Sequence, residues 1–212
     1  MKTILAFGDS LTYGADAASG GRHPYEDRWP TVLERALEGK ARVIAEGHGG
    51  RTTVFDEHSS AADRNGANIL PVMLASHSPL DAVIIMLGTN DLKPYVCGTA
   101  VGAAFGMKRL VQIIRSFPYG IDSSVPDVIM VAPPHVVATD NADLGPMFRG
   151  AIAESHHFAE HYARLANELD CAFFDASTVA VATPLDGVHL DAANTRAIGA
   201  ALAPVVSRLL RI

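Results

Sequence analysis

The sequence predicts a three-layer α/β/α domain in which helices cover both faces of a parallel sheet. Five short apolar segments are spread along the chain, and helical patterns lie between them. Several of these segments are apolar at every position, as is typical of parallel strands that are buried on both faces. The alternation of strands and helices predicts right-handed crossover units and a single domain over residues 1–212.

The five predicted strands are rich in residues with high β propensity. In chain order they are residues 3–8, 42–46, 82–87, 128–132 and 171–175.

Four helices are predicted between and after these strands. In "WPTVLERALEGK" the apolar residues follow helical spacing, with Pro30 early and Gly39 at the end. The next two helices are predicted over 99–117 and 146–169. The last runs over 192–210, with Asp191 as its N-cap.

Two long connections, 54–66 and 133–146, lie outside this minimal fold. Long connections in compact domains are often functional or interfacial. We therefore expect them to wall a pocket and to contact a second subunit in a homo-oligomer.

Composition and charge exclude several classes of protein. Acidic residues outnumber basic ones by 23 to 17, and no Lys/Arg block is present, which argues against nucleic-acid or membrane-surface partners. Only five apolar residues precede Gly8, too few for a signal-peptide core, and no stretch reaches membrane-spanning length. Two cysteines, Cys97 and Cys171, cannot form a disulfide framework, so we expect a cytoplasmic protein.

Polar motifs follow four of the predicted strands. Ligands of open α/β sheets bind beyond the carboxyl ends of the strands, so these motifs are expected to share one edge. They are "GDSLTYG" (8–14), "GHGGRTT" (47–53), "GTND" (88–91) and "DGVHLD" (186–191).

This set of residues is what acyl transfer requires. A serine such as Ser10 becomes a good nucleophile only when an imidazole removes its proton, and the imidazole needs a carboxylate to orient it. Asp186 and His189 are three residues apart and can pair on one turn. The Ser10 amide, a glycine-loop amide and the Asn90 side chain are available as donors to the oxyanion.

The four motifs together resemble those of the SGNH hydrolases, the GDSL-type serine esterases and lipases. "GDSLTYG", "GGRT", "GTND" and "DGVH" match the family blocks in order. The resemblance implies a Ser10, Asp186 and His189 triad, an oxyanion hole of Ser10, Gly50 and Asn90, and a flavodoxin-like sheet with order 2-1-3-4-5.

One position departs from the pattern of many relatives, which carry asparagine where this chain has Glu46. Together, Glu46 and the segments "LTYG" and "VIIMLGTNDLK" make the sequence resemble the arylesterase and acyltransferase branch of the family. The implied activity is hydrolysis of small, short-chain carboxylic esters through an acyl-enzyme, without cofactor or metal, and with acyl transfer to alcohols as a further outcome. The alternative within the family is carbohydrate O-deacetylation.

The pocket residues expected from proximity to the motifs and from the branch resemblance are Leu11, Tyr13, Thr89, Lys93, Phe148 and Val188.

Other interpretations of the same residues compete with this assignment. Ser10 and Asn90 could each simply cap a helix or turn. Gly49 competes with Gly50 as the donor, and Arg51 reads as an ordinary loop cation. Asp175 and Asp191 compete with Asp186 as the triad acid, although the first ends a strand and the second suits an N-cap.

A different class of function is suggested by "HFAEH", residues 157–161, which fits the H-x-x-E-H pattern of inverted zinc proteases. His157 and His161 could share a metal, and a zinc hydrolase would use His157, Glu160 and His161. The third ligand is uncertain, with Glu168 the nearest candidate, so coincidence is favoured. A non-enzymatic binding module of the same fold would leave the four motifs unexplained.

Overall fold

The computed structural model describes residues 1–212 and contains seven strands. In chain order they are β1 (Lys2–Gly8), β2 (Ala15–Asp16), β3 (Gly21–Arg22), β4 (Ala41–Gly47), β5 (Ala82–Met86), β6 (Asp127–Ala132) and β7 (Ala172–Asp175). Five of them form a parallel sheet in the order β4-β1-β5-β6-β7, which confirms the predicted order 2-1-3-4-5. The short strands β2 and β3 pair antiparallel in a small separate hairpin that was not predicted.

Helices of very different length connect these strands. They are α1 (Ser10–Tyr13), α2 (Trp29–Ala36), α3 (Gly66–His77), α4 (Ala100–Ser116), α5 (Leu144–Met147), α6 (Ala151–Ser155), α7 (Phe158–Glu168) and α8 (Ala192–Leu210). None of the eight combines the length and the apolar composition needed to cross a bilayer.

Alternation along the central strands divides the core into two layers. On β1, Leu5 and Phe7 pack in a cluster with apolar residues of α3, α4 and α7. Ile4 and Ala6 pack in a second cluster with residues of α2 and α8. Because successive side chains point to opposite faces, a strand covered on both faces is apolar at every position, as the sequence indicated.

The predicted helix over 146–169 is wrong as a single element. The structure divides this region into α5, α6 and α7. Gly150 adopts a left-handed backbone with φ of +86° between α5 and α6, a conformation that glycine tolerates and that a continuous helix excludes.

Helix α3 was missed because its sequence lacks an amphipathic pattern. "GANILPVMLASH" is apolar over most of its length and contains Pro71, which normally ends a helix. The Asn65 side chain caps α3 by accepting a hydrogen bond of 3.0 Å from the Ala67 amide.

Candidate active site

Ser10 lies where β1 ends and the single turn α1 begins. The side chain of Asp9 caps this turn by accepting a hydrogen bond of 2.9 Å from the Leu11 amide. Two glycines allow the turn to lie against the sheet, since a Cβ at Gly8 would lie 2.0 Å from Thr12 Oγ1 and one at Gly47 would lie 2.1 Å from the Tyr13 nitrogen. The backbone therefore presents Ser10 at the carboxyl end of β1.

A continuous hydrogen-bonded chain connects Ser10 to a carboxylate. His189 Nε2 lies 3.0 Å from Ser10 Oγ, and His189 Nδ1 lies 2.6 Å from Asp186 Oδ2. The structure thus brings together the three side chains predicted to form a triad, although 179 residues separate Ser10 from His189.

The turn that carries this pair also holds the carboxylate in place. Asp186 Oδ1 accepts hydrogen bonds from the amides of Val188 (3.0 Å) and His189 (2.9 Å). Burial alone would raise the pKa of Asp186, but the His189 side chain and these two amides outweigh it and lower the pKa below its ordinary value. Asp186 is therefore ionised at neutral pH, as an orienting carboxylate must be.

The competing acids serve other purposes. Asp175 accepts a hydrogen bond of 3.0 Å from the Ser177 amide, and Asp191 accepts one of 2.8 Å from the Asn194 amide at the start of α8. Each caps a local turn or helix, and neither contacts His189.

The backbone offers hydrogen-bond donors beside Ser10. The amides of Ser10, Gly49 and Gly50 make no hydrogen bond within the chain, and all three residues line the same cavity. Gly50 has a φ of +80°, which is the left-handed region that favours glycine. Both glycine amides thus remain available, and the geometry does not separate Gly50 from Gly49.

Asn90 also lines this cavity and is held from two sides. Its Nδ2 donates to the Arg51 carbonyl oxygen at 3.1 Å and to Asp9 Oδ2 at 3.3 Å. The second contact is long for a hydrogen bond and is the weaker of the two. The amide is therefore anchored by one N–H while the other is held only loosely.

Arg51 is a structural residue that sequence reasoning underestimated. It is buried, stacks over the Phe7 ring at 4.3 Å, and donates to the carbonyls of Gly8 (2.8 Å) and Glu46. Burial lowers its pKa to about 10, although Glu46 and Asp9 oppose the shift. Arg51 thus ties the ends of β1 and β4 together behind Ser10, and its carbonyl anchors Asn90.

Two carboxyl groups are buried beneath the site. Burial raises the pKa of Asp9 to about 6 and that of Asp91 to about 7, against hydrogen bonds from Leu11 and Thr53 respectively that lower them. Asp91 receives the Thr53 amide at 3.1 and 3.2 Å, as well as the Thr53 hydroxyl. These groups support the turns that carry Ser10 and Asn90.

A cavity of about 550 Å³ opens beside Ser10 and His189. Of the predicted pocket residues, Tyr13, Lys93, Phe148 and Val188 line it. Leu11 and Thr89 do not line it. Leu11 packs in the core layer under α2 and α8, and Thr89 is buried at the start of the turn that carries Asn90.

Further residues, beyond the six predicted for the pocket, also line the cavity. They come from the glycine loop (47–53), the β2–β3 hairpin, the connection before α3, and helix α5. They include Ala15, Gly20, Gly21, His48, Arg64, Leu144 and Met147. The predicted excursions 54–66 and 133–146 contribute Arg64 and Leu144 within one chain. Their contact with a second subunit stays a prediction.

A second depression, of about 680 Å³, lies along the outer edge of β4. Its lining includes Met1, Tyr25 and Arg35, and it holds no histidine, serine or cysteine. It therefore offers no serine or cysteine paired with a histidine, although it is larger than the cavity beside Ser10.

The zinc alternative finds no ligand set in the structure. The rings of His157 and His161 are 6.3 Å apart between centroids. No group of three His, Cys, Asp or Glu side chains in the chain is placed to hold a metal ion. "HFAEH" instead spans the start of α7, where Phe158 is part of the core.

Several known proteins are similar to this chain in sequence and structure. The model of the GDSL-like lipase/acylhydrolase family matches residues 6–197. A carbohydrate acetylesterase family member from Sinorhizobium meliloti is 50% identical, with all of both chains covered and a TM-score of 0.99. A protein from Agrobacterium tumefaciens str. C58, described provisionally as an arylesterase, is 55% identical, with 99% of this chain and 100% of that chain covered and a TM-score of 0.94.

An aryl esterase from M. smegmatis is more distant, at 38% identity, with 99% of this chain and 100% of that chain covered and a TM-score of 0.93. The search of curated proteins gave no match.

Proposed function

Since the chain belongs to the GDSL-like lipase/acylhydrolase family, we propose that it hydrolyses short-chain carboxylic esters with Ser10, His189 and Asp186 as its catalytic residues. The observation that carries the proposal is the hydrogen-bonded chain from Ser10 Oγ through His189 to Asp186 at the edge of an open cavity. A structural serine needs no histidine paired with a buried carboxylate.

The first half of the reaction forms an acyl-enzyme. Ser10 Oγ attacks the ester carbonyl carbon while His189 Nε2 takes the hydroxyl proton. Asp186 holds His189 with Nδ1 protonated and stabilises the imidazolium that forms. His189 then gives the proton to the alcohol oxygen as the bond between the carbonyl carbon and that oxygen breaks.

The negative charge on the carbonyl oxygen is held by donors that are already in place. We assign these donors as the amides of Ser10 and Gly50 and the side chain of Asn90. Gly50 is chosen over Gly49 because it matches the oxyanion position of the family's glycine block. For Asn90 the donating hydrogen is the one in the long 3.3 Å contact with Asp9, which is the easier to release.

Hydrolysis of the acyl-enzyme completes the cycle. A water molecule attacks the acyl carbon, His189 takes its proton, and Ser10 Oγ leaves as the hydroxyl is re-formed. An alcohol in place of water would accept the acyl group instead, so the same intermediate supports acyl transfer.

The bulky residues that line the cavity and the relatives favour acetyl and other short acyl esters. The side chains of Tyr13, Phe148 and Met147 occupy the walls of the cavity beside Ser10. Aryl acetates are the first candidates, in line with the relatives described as arylesterases. The S. meliloti relative, at 50% identity, supports a second candidate activity on acetylated carbohydrates.

The Ser10→Ala variant tests the proposal. We expect it to lose hydrolysis of phenyl acetate and labelling by a serine-reactive phosphonate while its circular dichroism spectrum and melting temperature stay close to those of the parent. Ser116→Ala is the matched control, because Ser116 is an exposed serine on α4 whose hydroxyl bonds only to the backbone. Normal turnover by a folded Ser10→Ala protein would refute the assignment.

A further inference from the structure

The cavity beside Ser10 has an unusual charge for this chain. The protein carries a formal net charge of −6, yet no carboxylate lines the cavity, whereas Lys93 and Arg64 both do. Lys93 comes from the end of the turn after β5, and Arg64 from the connection that precedes α3. The surface that a substrate would meet is thus locally positive.

The Lys93 side chain is largely buried, and its ammonium group has no hydrogen-bond acceptor within the chain. The side chain is only 5% exposed, and its one ion pair is with Glu57 Oε2 at 3.8 Å, which is too long for a hydrogen bond. Lys93 lines the cavity, and its Nζ atom is not among the fully buried polar atoms that lack a partner. The ammonium group is therefore free to donate to acceptors on whatever occupies the cavity, whether water or a ligand.

Glu57 is already engaged by other donors. Its Oε2 accepts from Arg64 Nη1, and its Oε1 accepts from the amide of Ser59 at 2.9 Å and from the Ser59 hydroxyl. One carboxylate therefore faces two cations, and the stronger pairing goes to Arg64. Within this cluster of Glu57, Arg64 and Lys93, one positive charge is left over.

The remaining groups near Lys93 shape a place for an anion. The Phe148 ring lies 5.7 Å from Nζ and provides an apolar wall. Arg64 is held against the glycine loop by the bond from its Nε to the Gly49 carbonyl at 3.1 Å. The carboxyl groups of Asp9 and Asp91 also act on Lys93 electrostatically, but both are buried beneath the site and neither lines the cavity.

We propose that Lys93, with Arg64 beside it, binds a carboxylate carried by the alcohol portion of the ester, so that the preferred substrates are short-chain esters of hydroxy acids, including acidic sugars. The carboxylate is placed on the alcohol portion because the acyl portion is short. This proposal rests on the proposed esterase function. Charge-assisted hydrogen bonds to a carboxylate satisfy the ammonium group and discriminate against uncharged alcohols.

A matched pair of substrates tests the charge requirement. The ratio of kcat/KM for 4-acetoxybenzoate to that for the uncharged 4-acetoxybenzamide is measured in the parent and in Lys93→Met, Arg64→Met and Lys108→Met. Lys108 is the control, because it pairs with Glu168 at an exposed position away from the cavity. We expect the parent to favour 4-acetoxybenzoate. Lys93→Met should lower the ratio by about tenfold or more (1.4 kcal/mol). Arg64→Met should lower it less, and Lys108→Met should leave it unchanged.

A purely structural role for Lys93 would slow both substrates equally and keep the ratio at its parental value, which overturns the proposal. A parent enzyme that favours the amide overturns it as well. Binding provides a readout that does not depend on turnover, with benzoate and benzamide titrated calorimetrically into Ser10→Ala and Ser10→Ala/Lys93→Met. If Ser10→Ala binds benzoate more tightly than benzamide and the double variant does not, the subsite is supported, even if phenyl acetate is not hydrolysed and the esterase assignment fails. Equal affinity of the two proteins for benzoate overturns the proposal.

Discussion

The two sides of the cavity are built in different ways. The catalytic side consists of Ser10, Asp186 and His189, each on a short turn, with every polar atom of the His189–Asp186 pair satisfied within the chain. The recognition side consists of Lys93, Arg64 and Phe148, brought together from distant connections, with the Lys93 ammonium left without an acceptor. A preorganised side is suited to chemistry, whereas an incompletely satisfied side is suited to binding a ligand.

The largest expected effect concerns the coupling of the catalytic pair. Because Asp186 acts only through His189, His189→Ala should lower kcat by on the order of 10⁶-fold, and Asp186→Ala/His189→Ala should lower it hardly further. Steady-state kinetics with phenyl acetate measures both. Losses that add fully in the logarithm of the rate would show that the two residues do not act as a unit.

The second-largest effect is expected at Asn90, where a catalytic role and a structural role predict different changes in kcat. If its amide donates to the oxyanion, Asn90→Ala should lower kcat by roughly 10²–10³ and leave KM almost unchanged. Kinetics and melting temperature are measured on the same preparation. A near-normal kcat with a lowered melting temperature would instead make Asn90 a structural residue, consistent with its bonds to Arg51 and Asp9.

Acyl length tests the recognition side. Since Tyr13 and Phe148 restrict the cavity, we expect kcat/KM for an acetyl ester to exceed that for the octanoyl ester by about tenfold, and Phe148→Ala to narrow the difference. A series of 4-nitrophenyl esters measures this preference. Faster turnover of the octanoyl ester by the parent would point to a lipase or thioesterase.

The smallest effect is expected in the pH dependence of stability, through the buried carboxyl group of Asp91. The pKa of Asp91 is about 7 in the folded chain, above its ordinary value of 3.8, so the folded state binds this proton more tightly than the unfolded state does. Its contribution to stability therefore increases as the pH falls from 8 through 7 and is fully present below the unfolded value. Chemical denaturation at pH 8 and pH 5.5 should show a larger gain in stability at the lower pH in the parent than in Asp91→Asn, which keeps the contribution of Asp9 but loses that of Asp91. An identical pH dependence in both proteins would contradict the shift.

The sequence by itself determined the sheet and the catalytic turns. Strand positions followed from runs such as Ile4–Phe7, which must be apolar throughout to pack on both faces, and the carboxyl ends of those strands are constrained to share one edge. Asp186 and His189 were predictable as a pair because their contact closes over three residues. The resemblance of the four motifs to a known family added the strand order and the role of Gly50.

Only the tertiary structure decided the recognition side and the helices that frame it. Helix α3 depends on packing that competes with local preference, since Pro71 disfavours a helix that its surroundings nevertheless stabilise. Lys93 has no local pattern in common with Arg64 and Glu57, and the balance of charge among the three exists only where two separate connections meet. The role of Arg51 was likewise not visible in the sequence. Its burial and its hydrogen bonds to the carbonyls of Gly8 and Glu46 depend on the tertiary structure, which residue spacing does not encode.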